Sequence, residues 1–162
     1  MRHVIRKAAP ILLATAALAG LFMVTPSEKV EASPFDTLLG TWRGSGQVQL
    51  NTGKERLSCN AYYTGGGSQL GMAIRCTSGN SKVEIRSKLS LSGSRITGNW
   101  EERTYNAAGT ASGTASPGRI SIVVSGSIRG SMVVNYSKSR QSVSISTSGS
   151  PLQRVSISLT RS

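Results

Sequence analysis

Hydrophobic and polar residues alternate with a period of two along most of the chain beyond residue 40. In the run from Thr41 to Leu50, one face carries Trp42 and Val48, and the opposite face carries arginine, serine and glutamine. This alternation is typical of β-strands that bury one face. Glycine, serine, asparagine and proline interrupt it about every ten residues, the spacing of an all-β sandwich or barrel. The pattern predicts ten strands: Thr41–Leu50, Glu55–Thr64, Gln69–Ser78, Lys82–Ser92, Arg95–Asn106, Thr110–Ser116, Arg119–Ser125, Ser131–Ser137, Gln141–Ser148 and Arg154–Arg161.

The two cysteines, Cys59 and Cys76, fall on the second and third predicted strands, on either side of a glycine-rich turn. Placing them opposite each other also pairs Tyr63 with Met72 and brings most apolar residues onto one face. This agreement predicts a hairpin with a cross-strand disulfide, which would stabilise the fold by about 3 kcal/mol. Two free buried thiols are the alternative. A metal site is not expected, because there is no third cysteine and the only histidine is His3.

The next predicted hairpin turns at Gly93-Ser94. A register that sets Leu91 opposite Ile96 also sets opposite charges against each other on the polar face, which supports it. The predicted charge pairs are Glu84 with Arg103 and Arg86 with Glu101. Glu102 then falls on the apolar face, which places it either at the mouth of a barrel or in a bulge that turns it outward.

All ten predicted strands are joined by short connections, one of them a turn over residues 106–109 with Gly109 in the left-handed conformation. Short connections make neighbouring strands antiparallel, and a long antiparallel meander removes its edges by closing. The predicted fold class is therefore all-β, an antiparallel up-and-down meander of eight to ten strands closed into a barrel. A β-sandwich is the alternative, although no connection is long enough for a Greek-key crossover.

The first 32 residues have the features of a signal peptide. Basic residues at positions 2, 6 and 7 precede an apolar run from Ala8 to Val24, and Val30-Glu31-Ala32 resembles a cleavage site. We expect cleavage after Ala32, which leaves the mature chain, Ser33–Ser162, as a single β-barrel domain in the periplasm or outside the cell. A retained transmembrane anchor is the alternative, but the apolar run lies at the lower limit for spanning a bilayer.

The mature chain is strongly basic. Four of the 19 Lys and Arg and two of the 7 Asp and Glu precede Ser33, which leaves a formal net charge of +10. A positive surface suits an anionic envelope component such as lipopolysaccharide, or an acidic glycan or protein, although solvated charges on the outer face are the simpler interpretation. Nucleic acid is not expected, because few aromatic residues lie among the cations. An outer-membrane barrel would need an apolar outer band with aromatic girdles, whereas the outward positions here are serine, threonine and charged residues.

The residues available for catalysis are few, and we expect no enzyme activity and no cofactor. The mature chain has no histidine, which excludes His-dependent triads and histidine acid–base chemistry. Glu101 and Glu102 are sequence neighbours, so a strand would point them to opposite faces and prevent a paired-carboxylate site. The glycine-rich segment Gly65-Gly66-Gly67 is interpreted as a hairpin tip, because no Lys-Ser/Thr completes a phosphate-binding motif.

The first predicted strand opens with Leu39-Gly40-Thr41-Trp42, and Gly46 follows soon after. This Gly-x-Trp resembles the first strand of the calycins, the group that contains lipocalins, fatty-acid-binding proteins and avidins. The chain is also similar to small exported proteins of unassigned function from Gram-negative bacteria. The resemblance implies a barrel in which Trp42 packs against a basic residue of the last strand at the closed end, a role that matches Arg161. Avidins line their biotin site with several tryptophans, and the mature chain has only Trp42 and Trp100, so biotin is not expected.

The expected function is that of a non-enzymatic, monomeric binding protein with a small or lipidic ligand inside a calycin-like barrel, and with no membrane span in the mature chain. Its candidate ligand-lining residues are Tyr63, Met72, Trp100, Glu102 and Tyr136, for each of which plain core filling is the alternative. A second hypothesis is a basic binding or inhibitor module that recognises an anionic envelope component or a protein through its outer face or loops.

Overall fold

Ten strands follow one another along the chain, each antiparallel to the next. The computed structural model describes residues 32–79 and 81–162, so the predicted signal peptide, residues 1–32, lies outside the described residues apart from Ala32. The strands are β1 (Gly40–Leu50), β2 (Gly53–Gly66), β3 (Gln69–Thr77), β4 (Lys82–Ser92), β5 (Arg95–Glu102), β6 (Ala107–Ser116), β7 (Arg119–Gly126), β8 (Arg129–Tyr136), β9 (Arg140–Ser148) and β10 (Leu152–Arg161). Because β10 pairs with β1, the sheet closes into a barrel, which confirms the predicted fold class.

The hairpin registers agree with the sequence prediction. Cys59 lies opposite Cys76 across β2 and β3, and the two form a disulfide. Leu91 lies opposite Ile96 across β4 and β5. In both hairpins a one-residue slip would turn every apolar side chain to the outer face, so burial alone specifies the pairing. The disulfide is compatible with an oxidising compartment outside the cytoplasm.

The connection between β5 and β6 differs from the prediction. β5 ends at Glu102 rather than Asn106, and β6 begins at Ala107 rather than Thr110, so the turn covers residues 103–106 and lies three residues earlier than expected. The cause is Glu102, whose carboxylate accepts hydrogen bonds from the backbone N–H groups of Thr104 and Tyr105 and so draws the chain into a turn. Asn106, with φ of 53°, takes the left-handed conformation that was expected at Gly109. Asparagine tolerates this conformation better than other residues with side chains.

Inward-facing glycines allow neighbouring strands to bend and approach closely around the barrel. A Cβ added to Gly44 in β1 would lie 2.0 Å from the carbonyl oxygen of Ser158, and one added to Gly98 in β5 would lie 2.1 Å from that of Lys88. No side chain fits at such distances. Glycine at these positions therefore permits the sharp curvature that a closed barrel of ten strands requires.

One end of the barrel is closed by the segment that precedes β1. Phe35 and Leu38 in this segment are completely buried against the core. The Asp36 carboxylate accepts a hydrogen bond of 2.8 Å from the backbone N–H of Gly67, in the turn between β2 and β3. The hydroxyl of Tyr136 donates to the carbonyl oxygen of Pro34 at 2.7 Å. These contacts fix the segment that precedes β1, residues 33–39, which we call the plug, and we call this end of the barrel the closed end.

Candidate functional site

At the closed end, Trp42 and Arg161 meet. They are opposite each other across β1 and β10, and the Arg161 guanidinium carbon lies 4.3 Å from the centre of the Trp42 ring. Trp42 is completely buried, and its indole N–H donates to the carbonyl oxygen of Leu38 at 2.7 Å. The structure thus brings together the two residues that the calycin resemblance paired.

The Arg161 side chain also joins three separate segments. Its Nε donates to the carbonyl oxygen of Lys138 at 2.8 Å, Nη1 donates to that of Leu39 at 2.5 Å, and Nη2 donates to that of Thr37. A guanidinium can make all these bonds at once because its donors form a rigid planar fork. Arg161 therefore ties the plug, the β8–β9 turn and the end of β10 into one unit.

The closed half of the barrel interior is filled with side chains. Tyr63 and Gln141 are buried together, and the Gln141 amide nitrogen donates to the Tyr63 hydroxyl at 2.9 Å. Burial raises the pKa of Tyr63, an effect that the Gln141 hydrogen bond partly opposes. Burial likewise raises the pKa of Tyr136, whose hydroxyl binds the plug. Both phenols are neutral at physiological pH, and their role here is to position the polypeptide.

The opposite half of the interior contains an apolar cavity of about 370 Å³. Its walls come from β1 and from β4 to β10, and it reaches the turns β5–β6, β7–β8 and β9–β10 at the open end of the barrel. The volume lies within the range of about 300–1,000 Å³ that is typical of small-molecule sites. The apolar residues that line it are Leu50, Val83, Ile85, Trp100, Ala107, Ala111, Ile122, Val124, Ile128, Met132, Ile145, Leu152 and Val155.

Strand β6 explains why this space is not filled. The residues that β6 turns inward are only alanines and glycines: Ala107, Gly109, Ala111, Gly113 and Ala115. A strand with larger inward residues would project side chains across the barrel, as β7 does with Ile120 and Ile122. Small residues along β6 therefore leave room beside Trp100. The indole N–H of Trp100 donates a hydrogen bond to the carbonyl oxygen of Ser125 at 3.2 Å.

Glu102 lies at the mouth of the cavity with only 7% of its surface exposed. Its Oε1 accepts hydrogen bonds from the backbone N–H groups of Glu84 at 2.8 Å and Thr104 at 3.1 Å, and its Oε2 accepts one from Tyr105 at 2.6 Å. These bonds explain how a carboxylate can lie on the apolar face, since a buried charge must be hydrogen-bonded. Of the two expectations for Glu102, the mouth of the barrel is the one that the structure shows.

Of the five candidate ligand-lining residues, Trp100 and Glu102 line the cavity and the other three do not. Tyr63 and Tyr136 are inward-facing, but they belong to the closed half. Met72 is buried in the core on β3, and among the described residues β2 and β3 contribute nothing to the cavity wall. Sequence reasoning missed the alanines of β6, although the run of small residues from Thr110 to Ser116 was a visible signal.

The outer face carries most of the charged residues, and one ion pair there differs from the prediction. Glu84 forms ion pairs with Arg86 at 2.6 Å and with Arg75 at 3.3 Å, and not with Arg103. Arg103 contacts Glu84 through the backbone, where its N–H donates to the Glu84 carbonyl oxygen. The Arg86 hydrogen bond, which outweighs partial desolvation, lowers the pKa of Glu84. Glu101 lies opposite Arg86 as predicted, but Glu84 is the acid that pairs with Arg86. Within 32–79 and 81–162, Glu84 is the only acid in an ion pair.

Across the part of the chain that the structure describes, no group of three or more His, Cys, Asp and Glu residues could hold a metal ion. In the same residues, no helix has the length and hydrophobicity to cross a membrane.

Comparison with known proteins adds the fold context. No protein-family model matches the chain, and no curated protein matches it in sequence. The crystal structure of Rv2717c from M. tuberculosis is similar, with a TM-score of 0.64 and 14% identity over 82% of this chain and 99% of that one. The S-type phycobiliprotein lyase CPES from Guillardia theta is also similar, with a TM-score of 0.50 and 12% identity over 78% of this chain and 88% of that one. At sequence identities this low, the similarity is one of fold, and it supports a calycin-like barrel.

Proposed function

We propose that this protein is a non-enzymatic, exported binding protein that holds a small apolar or lipidic ligand in the open half of its barrel. The observation that carries the proposal is the cavity of about 370 Å³, closed at one end by the plug and open at the other. One neighbour in fold is a phycobiliprotein lyase, and that likeness supports a barrel that takes up a small molecule.

Burial of apolar ligand surface would supply the binding free energy. An apolar cavity of about 150 Å³ is large enough to hold benzene, so a cavity of this size accommodates a body of roughly two such rings. Aliphatic side chains make up most of the cavity wall and polar ones a small part, which favours an apolar ligand body. Trp100 lies in the wall and is therefore a built-in fluorescent reporter of occupancy.

The test is titration with the neutral apolar probe N-phenyl-1-naphthylamine, followed by probe fluorescence and by quenching of Trp100. Ala111→Leu places a larger side chain in the cavity, and we expect it to weaken binding at least about tenfold, the equivalent of 1.4 kcal/mol. Ala108→Leu is the matched control, because Ala108 lies on the same strand and faces outward. Equal binding by both variants, or no saturable binding by the wild type, would contradict the proposal. Native mass spectrometry of protein purified from its own host would then identify a ligand that co-purifies.

A second candidate function rests on the outer face. Since Glu84 is the only acid that forms ion pairs in the described residues, most cations there are not neutralised by a neighbouring carboxylate. Such a surface supports binding to an anionic envelope component or an acidic protein. That binding would weaken steeply with added salt, and Ala111→Leu would leave it unchanged. Retention on an anionic surface that is insensitive to salt would count against it.

A further inference from the structure

The cavity wall is almost free of charge, and the charge it has is negative. Within residues 32–79 and 81–162, Glu102 is the only lining residue with a carboxyl, ammonium or guanidinium group, and Ser87 is the other polar residue buried in the wall. Both lie on the adjacent strands β4 and β5, where Ile85 is opposite Glu102 and Ser87 is opposite Trp100. The buried polar groups of the wall therefore lie on one side, whereas other polar lining residues, such as Asn106, Ser127 and Ser150, lie in the turns around the mouth and are exposed or half-buried.

The hydrogen bonds of Glu102 leave it able to accept one more. A carboxylate offers about four lone-pair sites, two on each oxygen. Oε1 already accepts two backbone N–H groups, and Oε2 accepts one, from Tyr105. One site on Oε2 is left for a donor. Among the described residues, no cation lines the cavity that could instead receive an acidic head group.

We propose that the ligand of this cavity is an amphiphile with a hydrogen-bond-donating head, uncharged or cationic, and not an anionic lipid or carboxylic acid. The apolar body occupies the space beside β6 and Trp100, and the head donates to Oε2 of Glu102 at the mouth. An alcohol, an amide or an amine satisfies this carboxylate. An anionic head would lie beside a like charge in a partly desolvated site, which is unfavourable. The inference rests on the proposed function, and it names the ligand class of that same cavity.

The basic outer surface does not reverse this preference. Its cations attract anions over distances comparable to the Debye length, which shrinks to a few ångströms at high salt. The Glu102 contact acts at hydrogen-bond distance, and Glu102 is buried, so salt screens it much less. Measurements in about 0.5 M salt therefore separate selectivity inside the cavity from attraction to the surface.

The experiment compares three ligands with the same ten-carbon body and different heads: decanol, decylamine and decanoate. Each displaces N-phenyl-1-naphthylamine from the wild-type protein at neutral pH and high salt. We expect decanol and decylamine to bind at least about tenfold more tightly than decanoate, a difference of about 1.4 kcal/mol. Decanoate that binds as tightly as decanol would overturn the inference while leaving the cavity as a binding site. If neither the probe nor any of the three ligands binds, the proposed function itself fails.

Two variants test whether Glu102 causes the selectivity between the head groups. Glu102→Gln removes the negative charge with little change in shape, and we expect the preference for decanol over decanoate to fall at least about threefold. Glu101→Gln makes the same change in net charge one residue earlier, on the exposed outer face, and we expect it to leave the preference unchanged. A purely structural role of Glu102 would weaken all three ligands in parallel, which would overturn the assignment. If Glu102→Gln does not fold, the comparison of heads on the wild type still decides the ligand class.

Discussion

Replacing Arg161 by lysine should loosen the closed end while keeping the positive charge. The arginine donates to three backbone carbonyl oxygens, those of Lys138, Leu39 and Thr37, and its guanidinium covers the Trp42 ring at 4.3 Å. A lysine ammonium on a flexible stem can reach one of these carbonyls at a time and lacks the planar face that stacks on the indole. The substitution therefore removes two hydrogen bonds and weakens the cation–π contact.

The magnitude follows from these losses. Each lost hydrogen bond contributes about 0.5–1.5 kcal/mol, and we take about 0.75 kcal/mol for each because the side chain is largely exposed and water replaces part of it. The weaker cation–π contact adds about 0.5 kcal/mol. The expected decrease in the free energy of unfolding is thus about 2 kcal/mol, which corresponds to a fall in Tm of roughly 6–10 °C for a domain of this size.

The assay is urea unfolding followed by circular dichroism, with thermal unfolding as a second measure. Arg154→Lys is the matched control, because Arg154 lies near the other end of β10 and, among the described residues, its side chain makes no hydrogen bond or ion pair. We expect that variant to stay within about 0.5 kcal/mol of the wild type. If Arg161→Lys is no less stable than Arg154→Lys, Arg161 does not hold the closed end together.

Three further outcomes test other parts of the structure. Gly98→Ala should destabilise the barrel by at least about 1–3 kcal/mol in urea unfolding, because the added Cβ would meet the Lys88 carbonyl oxygen. Gly79→Ala is the control, because a Cβ added there meets no atom within 4 Å. Equal effects of the two substitutions would refute the close-approach argument. Reduction of the disulfide, which spans 17 residues, should cost about 3 kcal/mol, and an unchanged urea midpoint in reductant would contradict this. The Arg86 hydrogen bond lowers the pKa of Glu84 in the folded protein. The ionised Glu84 carboxylate therefore stabilises the fold fully above the ordinary pKa of 4.5, and this stabilisation is lost as pH falls through the lowered pKa. Glu84→Gln should therefore flatten thermal stability measured between pH 5 and pH 2, and a variant with the wild-type slope would argue against that linkage.

The pairing of neighbouring strands could be predicted from the sequence because it depends on local pattern. Alternation assigns each residue to a face, and a short turn then leaves one register that buries the apolar set. The pairs Cys59–Cys76 and Leu91–Ile96 follow from that rule alone, and both are present. The β5–β6 turn was misplaced because a side chain, Glu102, rather than a glycine determines where β5 ends.

The position of a residue along the barrel axis could not be predicted in the same way. Alternation shows that Tyr63, Tyr136 and Trp100 face inward, but strand tilt and stagger decide which lie near the plug and which near the mouth. The prediction that Glu84 pairs with Arg103 was wrong, because it considered only the partner strand β5. The observed partners are Arg75, directly opposite on β3, and Arg86, two residues further along β4 on the same face.

The sequence by itself therefore determined the strands, their order, the disulfide and the inward face, all of which depend on neighbours along the chain. The tertiary structure decided the rest. Closure of the barrel brought Arg161, from the last strand, over Trp42, from the first strand, and the plug filled only one end. The small residues of β6 became a cavity only when β7 and β5 stood on either side and nothing across the barrel filled the gap. A cavity is a volume left over when distant side chains have packed, and no local pattern encodes that remainder.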